Sequence, residues 1–291
     1  MKKAIYCKSF RDDFSQLRSL VSDWTVYGNG IPFLVSVPDS DYKELLDSMD
    51  VPENVHIITD ESFTEDMSLQ KWGWLQQQVC KLSVYQTGFA DSYFVIDSDA
   101  YLIAPIDEGI FGTDEKPNVF YSKIDTKFYE HNGALKKLLL EGVDTPDMIS
   151  PIGDTRDFSE KLATAILEKK EKRNHDMGSY IRSIFSAPVV ATQPSQIFHS
   201  HILKSMVDRF NAEGVSLSQL IALSPWEFNW YAYYAMACPE FSTAGIRSRV
   251  VHFASDESIA YAKSLGIDEE ILKRHFCAVQ MAARHIETTR F

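Results

Sequence analysis

Three features of the sequence predict an α/β protein built on a doubly wound, mostly parallel sheet flanked by helices. Short apolar runs alternate with helically periodic segments through the first third of the chain, the pattern that produces parallel strands joined by helical crossovers. A chain of 291 residues with 45% hydrophobic content can bury a large core, and it carries no internal repeat, low-complexity tract or linker, which favours one domain with two halves. The third feature is "FVIDSD", where an apolar run ends on two carboxylates one residue apart. Ligands of open α/β sheets sit beyond the carboxyl ends of strands, so Asp97 and Asp99 fall where a ligand is expected.

The elements follow in order. "KAIYCKSF" reads as a first strand ending near Lys8, and "RDDFSQLRSLVSDW" as a helix with Phe14, Leu17, Leu20 and Val21 at helical spacing. "IPFLVSVP" and "NVHIIT" are further strands, separated by "DSDYKELLDSM", a helix opened by an Asp or Ser cap. In "SLQKWGWLQQQVCKLSVYQ", Leu69, Trp72, Leu75, Val79, Leu82 and Val84 predict a helix interrupted by Gly73, before the strand "YFVID". Further on, "NVFYSKID" reads as a strand, "FYEHNGALKKLLLEG" as a helix, and "DFSEKLATAILEKKEKRNHDMGSYIRSIF" as a longer helical region whose run "EKKEKRN" is a solvated face. "APVVATQPSQIFHSHILKSMVDRFNAEG" gives strand, turn and helix; "SPWEFNWYAYYAMAC" opens a helix; and "RSRVVHFAS" is a strand. "DESIAYAKSLG" and "DEEILKRHFCAVQMAARHI" are expected to be two closing helices.

Composition narrows the partners. A net charge of -12 and a pI of about 5.1 leave no basic excess to attract nucleic acid or an anionic membrane. The four cysteines are scattered without a CxxC pair, which argues for reduced thiols in a cytoplasm and against a cysteine zinc site. "MKKAIYCKSF" has too few apolar residues for a signal peptide, and no run approaches the roughly 18 apolar residues of a spanning helix. The expectation is a cytoplasmic protein with no transmembrane segment, with peripheral membrane contact left open.

Two carboxylates at i and i+2 beyond a buried strand lie close once the backbone turns, and each raises the cost of ionising the other unless a cation neutralises them. Hard ions such as Mg2+ or Mn2+ suit such a site, since they take carboxylates plus substrate phosphates. The plainer reading is a turn in which Asp97 or Asp99 caps the next segment.

Four pieces in order, "YCKSFRDDFSQLRSL", "GWLQQQVCKL" before "FVIDSDAYLIAP", "SPWEFNWYAYY" and the late "VVHF", resemble glycosyltransferases of the GT-A fold. The resemblance is to a bacterial family whose members show a Gly-Trp, Gln-Gln, Lys helix before Asp-Ser-Asp and a Ser-x-x-Glu segment followed by aromatics; it covers residues 1 to about 255. Pro225 and Trp226 depart from the family inside that last segment. The resemblance implies a donor half at 1–110 carrying the DxD motif, an acceptor-side half of the same domain at 111–255, and C-terminal helices at 256–291. The implied activity is metal-dependent transfer of a sugar, a hexose, from a nucleoside diphosphate sugar to a glycan or lipid-linked glycan acceptor of the bacterial surface, with Mn2+ or Mg2+ held by Asp97 and Asp99. Two alternatives stand beside it. A nucleotidyltransferase acting on sugar phosphates also uses paired acids, although the glycine-rich basic loop it needs is replaced here by "KSFRDD". A non-catalytic nucleotide- or sugar-binding module would keep the pocket without turnover.

Other site residues follow the same resemblance. GT-A enzymes of the glycogenin-like group use a C-terminal histidine as a further metal ligand, which ranks His252 first, ahead of His199 and His201. The i,i+2 spacing of those two puts them on opposite sides of an extended segment, so only one could face a site. For the donor, Lys81 is expected to meet the diphosphate, with Gln77 and Trp74 on the same helix face. Ser98, between the two acids, joins them, and Lys8, Ser9 and Asp12 after the first strand are candidates for base and ribose contact, Asp12 equally for a helix cap. Glu227 has two readings. Ser224, Pro225 and Glu227 match a capping box, while the resemblance makes Glu227 the catalytic group, a base if configuration inverts or a substrate-positioning group if it is retained. The aromatics Trp226, Phe228, Trp230, Tyr231, Tyr233 and Tyr234 can line an acceptor site, but most of such a helically spaced set is core.

Overall fold

In the computed structural model, residues 1–120, 133–142, 195–238 and 240–281 are described. The strands are β1 (Lys3–Lys8), β2 (Phe33–Val37), β3 (Val55–Thr59), β4 (Ser92–Val95), β5 (Ala100–Leu102), β6 (Asn118–Phe120), β7 (Gln196–His199), β8 (Ala244–Ile246), β9 (Val250–Phe253) and β10 (Ala278–Met281). The helices are α1 (Phe14–Tyr27), α2 (Asp39–Ser48), α3 (Gly73–Ser83), α4 (Gly133–Glu141), α5 (Ser200–Ala212), α6 (Leu217–Leu223), α7 (Glu227–Ala237), α8 (Asp256–Ser264) and α9 (Glu269–Lys273).

The first four strands form a parallel sheet in the order β3-β2-β1-β4, and β7 closes its far edge antiparallel to β4. Strand residues sort by the two-residue period. Ala4, Tyr6, Tyr93 and Val95 face a core with Val79, Leu82, Phe198 and Trp230; Ile5, Cys7, Phe94 and Ile96 face the opposite one with Leu17, Leu20 and Val21 of α1. Both faces are covered, so these strands read as continuous apolar runs. Each fully buried side chain of this kind contributes about 1.5–3 kcal/mol, and Leu17→Ala, at 0% exposure, costs about 2–5 kcal/mol.

The strand order places the site. The chain moves outward from β1 to β2 and β3, then returns to the other side of β1 as β4, so the sheet's direction switches between β1 and β4. The crevice at such a switch point, at the carboxyl ends of the strands, is where an open α/β sheet binds its ligand. Lys8 and Ser9 leave β1 there, and Asp97 leaves β4, with Ile96 still bonded to the Tyr6 carbonyl.

Beside this sheet lie a three-stranded one, β5-β10-β9, and a pair, β6 with β8. β10 corrects an expectation: the second closing helix is only Glu269–Lys273, after which Ala278–Met281 is a strand antiparallel to β5 and parallel to β9. Every residue of β10 is buried, and for so short an apolar run periodicity cannot separate strand from helix. The third helix also starts later than predicted, at Gly73, leaving Leu69 and Trp72 outside it. Gln76 accounts for that start: its Nε2 donates to the Asp66 carbonyl and its Oε1 accepts from the Leu69 N–H, tying the preceding loop in a non-helical path. The expected strands and helix over 121–132 and 143–194, with the charged run "EKKEKRN", lie outside the described residues, as does 282–291.

Candidate active site

Lys81, Asp97 and Glu227, far apart in sequence, meet at the switch point. α3 carries Lys81 in its last turn, and its ammonium lies 2.6 Å from Asp97 Oδ1 and 2.9 Å from Glu227 Oε1. The same ammonium stands 4.9 Å from the centre of the Phe228 ring. Lys81 is 3% and Glu227 4% exposed, so the charges attract in a medium that screens them poorly. Burial opposes the Lys81 charge, but Asp97 and Glu227 outweigh it and hold the ammonium well above its usual range. Burial raises the Glu227 carboxyl, against the pull of Lys81. Lys81, expected to meet the donor diphosphate, is held here by the two carboxylates.

Glu227 is available because the capping box does not form. Ser224 ends α6, its N–H bonded to the Leu220 carbonyl, and its Oγ has no hydrogen-bond partner among the described residues. The N-cap position of α7 falls to Trp226 without a side-chain bond, and Glu227, as the first helical residue, turns to Lys81. Ser224 serves α7 through its carbonyl instead, which accepts from Trp230 Nε1 at 2.9 Å.

The acid pair sits in a turn between β4 and β5, closed by the Ala100 N–H on the Asp97 carbonyl. Gln280 of β10, absent from the sequence reading, donates Nε2 to Asp99 Oδ1 at 2.9 Å and to Asp97 Oδ2 at 3.2 Å. Burial and the Asp97 charge push the Asp99 carboxyl up to about 8. Ser98 Oγ donates to Asp13 Oδ2 at 3.1 Å. Asp13, rather than the neighbouring Asp12, is thus the acid turned toward the site; burial raises its carboxyl, with Asp97 adding to the effect. Asp12 is exposed on the Arg11–Asp13 turn and caps no helix.

The remaining candidates divide. Lys8 is buried and bonded to Asp60 Oδ2 at 3.0 Å and to the Ser9 carbonyl, which makes it a strut between the ends of β1 and β3 rather than an open ligand contact. Ser9 is fully buried, its Oγ without a partner among the described residues. Gln77 is half-buried, and Trp74, 52% exposed, meets Trp226 edge to face with centroids 5.9 Å apart. Phe228, Trp230, Tyr231, Tyr233 and Tyr234 are core.

Of the histidines, His199 pairs with Ser92 at the opposite end of β4 from Asp97; its Nε2 contacts the Asn118 carbonyl, and burial lowers its pKa to about 4. His201 packs its ring on Phe241. Neither belongs to the site. His252 is half-buried on β9, in register with Gln280 and so on the same face of that sheet. Among the described residues no group of three or more His, Cys, Asp or Glu side chains is arranged to hold a metal ion, so Asp97, Asp99 and His252 are not gathered into one cluster.

No family model and no curated protein matches this chain. Among solved structures it is similar to the crystal structure of galactosyltransferase LgtC in complex with donor and acceptor sugar analogs, with a TM-score of 0.47 and 11% identity over 99% of this chain and 90% of that one. No helix among the described residues is long and apolar enough to cross a membrane.

Proposed function

We propose that this chain is a glycosyltransferase that moves a hexose from a nucleoside diphosphate sugar to a glycan or lipid-linked glycan acceptor. The observation that carries the reading is the Lys81 ammonium joining Asp97 to Glu227 at the switch point of a parallel sheet. One carboxylate of the acid pair is thereby tied to Glu227, a group suited to act on an acceptor hydroxyl.

Two carboxylate oxygens, completed by donor phosphates, would suffice for a divalent cation here. Asp97 Oδ2 and Asp99 Oδ1 converge on one nitrogen, Gln280 Nε2, and an all-oxygen pair of this kind suits Mg2+ or Mn2+. A bound cation supplies Lewis-acid neutralisation of the departing diphosphate. His252, in register with Gln280 on the adjacent strand, is the candidate for a further ligand. Lys81 fixes Asp97 through Oδ1, while Oδ2 accepts from Gln280. Glu227, anchored through Oε1, would act on the acceptor hydroxyl as a base under inversion or as a hydrogen-bond acceptor under retention. Trp226, adjacent to Glu227 in sequence, and Trp74, packed edge to face on it, offer apolar ring surface to a sugar.

The test is a panel of nucleoside diphosphate sugars incubated with the protein and Mn2+, read as nucleoside diphosphate release. Release that is lost in Asp97→Asn supports the reading. Tight nucleotide binding without release across the panel and with added glycan acceptors overturns it in favour of a binding module.

A further inference from the structure

We infer that Gln280 is a reserve cation ligand, donating its amide nitrogen to the acid pair when no cation is bound and turning its carbonyl oxygen to the cation when one arrives. The inference rests on the metal-dependent reading above.

Three observations support it. Gln280 Nε2 has two N–H groups and donates to one oxygen of each acid, Asp97 Oδ2 and Asp99 Oδ1. The side chain is 8% exposed, and its Oε1 is buried with no hydrogen-bond partner among the described residues. An amide that served only as a clamp would have its acceptor satisfied, since buried carbonyl oxygens nearly always are. The third observation is placement: β10 lies between β5 and β9, so Gln280 stands between Ala100, next to Asp99, and His252.

The exchange follows from charge. Nitrogen donors of an amide are repelled by a cation, whereas its carbonyl oxygen is a ligand that hard ions accept. The terminal torsion of Gln is broad and roughly two-fold, so the amide can exchange its two ends without leaving its rotamer. In one orientation the amide quiets two neighbouring carboxylates; in the other its orphaned oxygen gains the partner it lacks.

The test is Mn2+ binding, measured by electron paramagnetic resonance of the free ion and by calorimetry without donor, together with melting in Mn2+ and in chelator. Gln280→Met keeps the volume and removes both ends of the amide; it is expected to melt lower in chelator and to bind Mn2+ about 10-fold or more weakly. Gln280→Glu puts a third carboxylate beside Asp97 and Asp99. It is expected to melt lower than the native chain in chelator, to bind Mn2+ at least as tightly, and to recover its melting temperature when Mn2+ is added. A native chain with intact Mn2+ binding and a Gln280→Met variant that binds equally or more tightly would show Gln280 to be a clamp only, and the inference falls alone. Should Gln280→Met not fold, a Gln280→Glu variant that gains nothing from Mn2+ overturns it equally. Absence of Mn2+ binding by the native, folded chain overturns both this inference and the metal part of the proposed function.

Discussion

The Glu227 carboxylate lies 2.9 Å from the Lys81 ammonium across 146 residues of chain, with both side chains buried. That contact decides how Glu227 responds to substitution. As a capping residue it would be replaced by Gln at little cost, but the cap is not formed and the carboxylate is one of two counter-charges to a buried cation. Glu227→Gln is expected to lower stability measurably in urea, by about 1–3 kcal/mol, because Gln keeps a hydrogen bond and loses the charge. Under the base reading its turnover falls by about 10²–10⁴. Native-like turnover in the folded variant would remove Glu227 from catalysis.

Lys81→Met should be the more damaging change. It leaves Asp97 and Glu227 close together and without their cation, a situation that costs about 3–5 kcal/mol. Combining it with Glu227→Gln should recover part of that loss, since one stranded charge is removed. A double-mutant cycle in urea measures the coupling, and strict additivity would contradict the ion pair.

Lys8 and Asp60 are expected to act on stability rather than on ligand affinity. The pair is buried at 3.0 Å, so Asp60→Asn or Lys8→Met strands a charge and costs about 3–5 kcal/mol. Nucleotide affinity of the Asp60→Asn protein, measured calorimetrically below its melting transition, should stay within a few-fold of native. A selective loss of nucleotide binding at unchanged stability would restore Lys8 as a donor contact.

Asp99 gives the chain a pH dependence of definite sign. Its carboxyl, ordinarily near 3.8, is pushed up to about 8 in the fold, first by burial and then by Asp97. Between those values the folded chain holds a proton that the unfolded chain has released, so stability falls as pH rises from about 4 to about 8. Asp99→Asn removes that proton from both states and should flatten this part of the curve. Urea midpoints for both proteins at pH 5, 6, 7 and 8, in chelator, make the comparison; parallel curves would contradict the shift.

Much of the parallel sheet is legible in the sequence because its signals are local. Four apolar runs and the spacing of Phe14, Leu17, Leu20 and Val21 each report on their own segment, and β1 to β4 appear where those runs lie. Asp97 and Asp99 are legible for the same reason, as acids at the end of a strand. The partners that define their chemistry are not local. Nothing near Lys81 says that its charge is spent on Glu227, and Lys8 reads as a base or ribose contact at the end of the first strand until Asp60 is seen beside it. The Ser-Pro-Trp-Glu string matches a capping box in residue type, but Ser224 is already engaged in ending the preceding helix. Gln280 was hidden twice, by a strand too short to distinguish from helix and by a side chain that carries no charge to draw the eye.

β10 also fixes an order of assembly during synthesis. Gln280 is separated from Asp97 by 183 residues, and β10 inserts between two strands that have already been made. Until β10 is made, β5 and β9 have no strand between them. The strand carrying Gln280 can enter only after residue 281 has cleared the exit tunnel, so a nascent chain stopped short of it lacks the amide that meets Asp97 and Asp99.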